Sequence, residues 1–175
     1  IITQTRIKRE LLAQSKLDLG DIYLLHGEPW ESTLLYSQVE KLIQDDRLGH
    51  LAKLKNAKLA FYKGDFELAQ AYLDVLKLAT SREIANDAMD LSILIQDNLA
   101  LDTTDVPLRM YAKADLEVFQ KNFAAAQVSL DSLSLQFPNH GLLDEVLWLK
   151  AKIAEQISDF KMAESNYKKI IEDHK

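Results

Sequence analysis

The chain contains no cysteine. Disulfides, thiol nucleophiles and cysteine-ligated zinc are therefore excluded, while any compartment remains compatible. Five glycines and three prolines in 175 residues are too few for the turn density of an all-β fold. No apolar run approaches the roughly 18 residues of a membrane span. A basic stripe is also missing. The 21 Lys+Arg and 27 Asp+Glu give a net charge of −6 with both signs interspersed. That describes a solvated surface without a footprint for nucleic acid. No signal-peptide pattern is present at Ile1, and the chain stops at Lys175 inside an apolar-periodic stretch (Tyr167, Ile170, Ile171). It reads as a piece of a longer protein, so targeting information can lie outside it.

What is present is apolar content of 47% arranged at helical spacing. The first periodic run goes from Leu11 and Leu12 through Leu17, Leu19, Ile22, Tyr23 and Leu24, and breaks at Gly27 and Pro29. Pro29 suits the first turn of a second helix, where a missing N–H costs nothing. That helix runs to Asp45-Asp46, and Gly49 marks a loop. A third helix ends at Gly64, and Asp65 is placed to N-cap a fourth. Ser81 opens a fifth, Leu101 to Asp105 is a polar joint, and Pro107 opens a sixth. Phe123–Leu135, Leu142–Ser158 and Phe160–Lys175 complete nine helices with no strand signal. The fold class is all-α.

A ladder of residue sizes repeats along these helices. Gly20, Ala57, Ala114 and Ala151 are each followed 12 residues later by Ser32, Ala69, Ala126 and Ala163. Four further on stand Tyr36, Leu73, Leu130 and Tyr167. Small side chains at both positions let the two helices of a hairpin cross closely, with bulkier neighbours filling the gaps. One hairpin cannot bury both of its apolar faces; stacking a second on it does. The steps Gly20–Ala57 and Ala114–Ala151 are 37 residues, whereas Ala57–Ala114 is 57, or 37 plus 20. A step of 37 from Ala57 reaches Leu94, in the fifth helix, while the place for its small partner falls at Val106, beside Pro107. The fifth helix is therefore expected to be unpaired, with a change of direction near residues 99–107.

Chemistry-bearing constellations are absent. His26, His50, His140 and His174 lie near helix ends or joints, and no two share an i, i+4 spacing. Asp45-Asp46 and Asp144-Glu145 sit at loops and helix starts, where negative charge suits the helix dipole. The glycines form no phosphate loop, and no serine has a nucleophile-elbow context. The expectation is a protein that is not an enzyme and needs no cofactor or metal.

Leu19-Gly20-Asp21-Ile22-Tyr23 resembles the first-helix signature of tetratricopeptide repeats. Lys63-Gly64-Asp65-Phe66-Glu67-Leu68-Ala69 resembles their turn and second-helix start, as do Phe123 to Ala126 and Asp159 to Ala163. Leu133-Ser134-Leu135-Gln136-Phe137-Pro138 resembles the closing end. The family repeat is about 34 residues, so the loops here are longer. The resemblance implies a single right-handed superhelical solenoid over 1–175. Its repeats would lie at about 13–46, 50–80, a degenerate 82–104, 107–140 and 144–175. It also implies a concave groove lined by the first helices. Leu17, Leu54, Tyr111 and Trp148 stand three residues before the key small residues, and Asp21, Lys58, Asp115 and Lys152 one after. Leu24, Phe61, Val118 and Glu155 stand on the next turn. These form a candidate peptide-binding strip; the aliphatics among them, and Phe61, read equally as core between repeats. The Lys and Asn positions of the family's carboxylate clamp are not matched. Trp30 reads as packed at a hairpin edge.

The function implied is a non-catalytic scaffold that holds a protein or peptide in its groove. Two other readings stay open. One is an assembly subunit of a bacterial envelope complex that uses its ends and convex face, with self-association through exposed repeat ends. The other is a regulatory repeat domain of a larger protein. The acid and aromatic punctuation resembles bacterial envelope members of the family, which favours the periplasmic side over the cytoplasm.

Overall fold

The computed structural model describes residues 2–44, 46–78, 81–100 and 104–173. The described residues form nine α-helices and no strand. They are α1 (Ile2–Leu25), α2 (Pro29–Leu42), α3 (Arg47–Tyr62), α4 (Phe66–Leu76) and α5 (Arg82–Ala100), then α6 (Val106–Phe119), α7 (Phe123–Gln136), α8 (Leu143–Gln156) and α9 (Phe160–Asp173). The chain divides into two compact units, Ile1–Gln96 and Asp97–Lys175. In the first, α1 pairs with α2 and α3 with α4, and α2 packs on α3. In the second, α6 pairs with α7 and α8 with α9, and α7 packs on α8. Four hairpins thus use eight helices, and α5 belongs to none of them. Ile84, Ala88 and Ile95 of α5 are nonetheless buried, and Gln70 of α4 donates to Ser92 at 2.7 Å. Asp45, residues 101–103 of the joint and His174 fall outside the described residues, and so does part of the expected change of direction near residues 99–107.

Each hairpin turns the same way. Seven residues after the key small residue the backbone is left-handed: Gly27 (φ 80), Gly64 (φ 74), Lys121 (φ 61) and Ser158 (φ 62). The next amide then reaches back five residues, from Glu28 to Tyr23, Asp65 to Ala60, Asn122 to Glu117 and Asp159 to Ala154, at 2.8–2.9 Å. This is the Schellman closure of a first helix, which satisfies carbonyls that would otherwise be orphaned. Asp65 and Asp159 then cap the second helices by accepting from Leu68 and Met162 at 3.2 and 3.1 Å.

All eight small ladder residues are buried: Gly20, Ser32, Ala57, Ala69, Ala114, Ala126, Ala151 and Ala163. In the first hairpin the closeness is chemical as well as steric, because Ser32 Oγ donates to the Gly20 carbonyl at 2.8 Å. The Tyr36 ring lies against Gly20; a Cβ there would overlap ring atom Cε1 and sit 2.9 Å from Cδ1. The fourth hairpin has Tyr167 opposite Ala151, and its hydroxyl goes to Glu155, four residues on, whereas Tyr36 donates to Asp21, one residue on. Gly20→Ala should therefore cost about 1 kcal/mol net, overpacking exceeding the gain in helix propensity. In a Tyr36→Leu background, which restores the Ala/Leu pairing of the second and third hairpins, the same change should become neutral or stabilising. Urea unfolding of the four variants measures this, and a cost that is independent of residue 36 would contradict the steric account.

Two boundaries differ from the sequence reading. The first helix begins at Ile2, well before Leu11, because no glycine or proline interrupts the polar stretch Thr3–Glu10. Gly49 is not in a loop: it is buried within α3, whose cap is Asp46 accepting from the Arg47 amide at 2.6 Å. It is small because α3 starts hard against the end of α2.

Candidate interaction surface

The groove strip divides sharply by burial. Leu17, Leu54 and Tyr111 are 0%, 3% and 6% exposed, whereas Trp148, at the same repeat position, is 49% exposed. α3 packs on α1, and α8 on α6, which accords with the burial of Leu17 and Tyr111 on the helices they pack against. Glu145 of α8 comes near enough to Tyr111 to act on it. The Tyr111 hydroxyl is driven well above the ordinary phenol range by burial first, then by the Asp115 and Glu145 charges. Leu17, Leu54, Phe61, Tyr111 and the next-turn Leu24 are therefore core side chains and offer a partner nothing. Their place in the expected strip is corrected accordingly.

The charged members are largely engaged within the chain. Asp21 accepts from Lys55 of α3 through both oxygens at 2.8 Å, and from the Tyr36 hydroxyl at 2.6 Å. The Lys55 ammonium also lies 5.7 Å from the Tyr36 ring centre. Burial, then the hydrogen bond to Asp21, pushes the Tyr36 hydroxyl well above its usual range. This triad joins the first hairpin to the second. Lys58 reaches Asp87 at 4.0 Å. Asp115 is half-buried, close to Tyr111, as is Val118.

One open cluster remains, on α8 and α9. The Lys152 ammonium lies 5.7 Å from the Trp148 ring centre and 5.9 Å from that of Tyr167. It also pairs with Glu155 at 3.0 Å, and the Tyr167 hydroxyl donates to the other Glu155 oxygen at 3.0 Å. These bonds raise the Lys152 pKa and lower that of Glu155. Trp148, Lys152 and Glu155 follow one another by a helical turn, so they share a face. The result is an exposed indole flanked by a held charge pair.

Sequence reasoning missed Tyr36, Lys55 and Tyr167. The available signal was that tyrosine occurs at that rung only in the first and last hairpins. Trp30 is also corrected: it is exposed, standing beyond the edge of its hairpin with the Lys63 ammonium 4.4 Å above its ring. Among the histidines, His140 Nδ1 accepts from the Leu142 amide at 3.0 Å, at the start of α8.

Among the described residues no group of three or more metal-ligating side chains converges, and no helix is long and apolar enough to cross a membrane. Compared with known proteins, the chain matches no family model, no curated sequence and no solved structure.

Proposed function

We propose that this chain is a non-catalytic interaction scaffold of tetratricopeptide-like hairpins, stacked in superhelical fashion, that receives a helical segment of a protein partner. The observation that carries the reading is Trp148. It is half exposed at a position where Leu17, Leu54 and Tyr111 are buried. A large aromatic side chain left open beside a fixed charge pair has the composition of an interface anchor. The packing of α3 on α1 and of α8 on α6, the helices that carry Leu17 and Tyr111, supports a helix as the occupant. The absence of any reactive constellation in the sequence supports a binding role over catalysis.

The reading is tested with helical peptides selected from a displayed library against the wild-type chain. Trp148→Ala should weaken their binding by about tenfold or more, as expected for removal of an anchor, while leaving the melting temperature unchanged. Peptides that bind both proteins equally would place the interface elsewhere and end the assignment of this face.

A further inference from the structure

The first hairpin carries a face that complements the open cluster. Ile22 of α1 is 49% exposed, whereas the residues at the same rung, Leu59 of α3 and Ile153 of α8, are 2% and 0% exposed. Leu59 lies on the helix that packs on α2, and Ile153 on the helix that packs on α7. Leu12 and Leu19 of α1 are likewise exposed, while Gly49 and Asn56, their counterparts on α3, are buried. α1 thus carries exposed apolar residues on the face that α3 turns toward a preceding hairpin, with nothing docked on it among the described residues.

We propose that the occupant of the α8/α9 face is α1 of a second copy of this chain, docked head to tail as α3 docks on α1 and α2. The proposal rests on the scaffold reading above and names its partner. Two sets of equivalent positions support it. In the first junction Tyr36 and Asp21 hold Lys55, which stands two residues before its key small residue, Ala57. At the open face the first two positions are Tyr167 and Lys152, already adjacent. The residue two before Gly20 is Asp18, exposed on α1. The positions match and the charges are exchanged, so Lys152 of one copy faces Asp18 of the next. The second set is apolar. Glu40 of α2, eight residues after Ser32, accepts from Asn56, one residue before Ala57, at 3.5 Å. The corresponding residues at the new junction are Ile171 and Leu19, both exposed and both apolar. A heterologous contact of this kind uses two different patches and leaves one of each open after every addition.

The absence of cysteine makes the test clean. Leu19→Cys and Ile171→Cys chains, mixed and oxidised, should cross-link mainly to each other, because the sulfurs are brought within disulfide reach only in this arrangement. A Val128→Cys chain, exposed on α7 at least as much as either position, serves as the control for random collision. Alongside, sedimentation of the full chain over rising concentration should show reversible association. Lys152→Glu and Asp18→Lys should each weaken it about tenfold, and the double exchange should restore it, as for a complementary charge pair. Cross-linking no better than the control, or a double variant no better than the singles, would overturn the proposal. So would loss with Asp18→Lys but not Lys152→Glu, which would assign the contact to two α1 helices face to face. Selected peptides that depend on Trp148 without any self-association would leave the scaffold reading standing and this partner refuted.

Discussion

Phe61→Ala should lower stability by about 3–5 kcal/mol, the range for emptying a buried aromatic site. Phe61 is 1% exposed, and its ring centre lies 5.7 Å from that of Phe66 and 6.0 Å from that of Tyr62, both tilted. Phe66 opens α4 and Phe61 nearly closes α3, so the aromatic contact spans the turn that the Asp65–Ala60 hydrogen bond closes. Removing the ring leaves a cavity at the point where the two helices are joined, and the Schellman backbone beneath it cannot collapse without losing its hydrogen bonds. Urea unfolding followed by circular dichroism gives the value. A loss under about 1 kcal/mol would mean that the ring is not a core element, the outcome expected of a groove anchor. Trp148→Ala is the counterpart: a half-exposed ring whose loss should be felt in binding and not in unfolding. The pair of measurements therefore separates core from surface on two residues that the same repeat pattern had assigned to one strip.

That difference shows what was legible in the sequence. Helix number, hairpin turns and the buried small ladder follow from local rules: spacing, breakers, caps and the steric need for close crossing. Asp65 was recognisable as a cap because its carboxylate precedes an apolar run. The left-handed turn position was visible at Gly27 and Gly64 and hidden at Lys121 and Ser158, where the chain accepts φ near +60° without glycine. The interaction surface was less legible for a different reason. The rung that holds Leu17, Leu54, Tyr111 and Trp148 serves two purposes. Leu17 and Tyr111, on helices that a later first helix packs against, are buried; Leu54 is buried as well, and Trp148 is half exposed. Residue type alone does not distinguish these cases, since both tyrosine and tryptophan fit either. The engagement of Asp21 was not legible either, because its partner Lys55 lies 34 residues away and the link is visible only once the two hairpins stack.

Gly49→Ala should cost about 2–3 kcal/mol, in the upper range of overpacking, although alanine is the better helix former by about 1 kcal/mol. Gly49 lies in the first turn of α3, buried against the end of α2. A Cβ there would overlap the carbonyl oxygen of Ile43 and stand 2.8 Å from its carbonyl carbon, with the Gln44 carbonyl oxygen at 3.2 Å. These are backbone atoms held in place: the Ile43 amide donates to Val39 at 3.0 Å as α2 ends. At Gly20 the obstacle is a tyrosine ring, which a second substitution removes. At Gly49 no side-chain change reaches the obstacle, so Ile43→Ala should fail to rescue Gly49→Ala, whereas Tyr36→Leu should rescue Gly20→Ala. The methyl can be accommodated only by moving the start of α3 away from α2. That movement would loosen the contacts by which the second hairpin rests on the first, including Lys53 on Glu40 at 3.2 Å. A Gly49→Ala chain that unfolds at the wild-type urea concentration or above would show that α2 and α3 do not approach this closely.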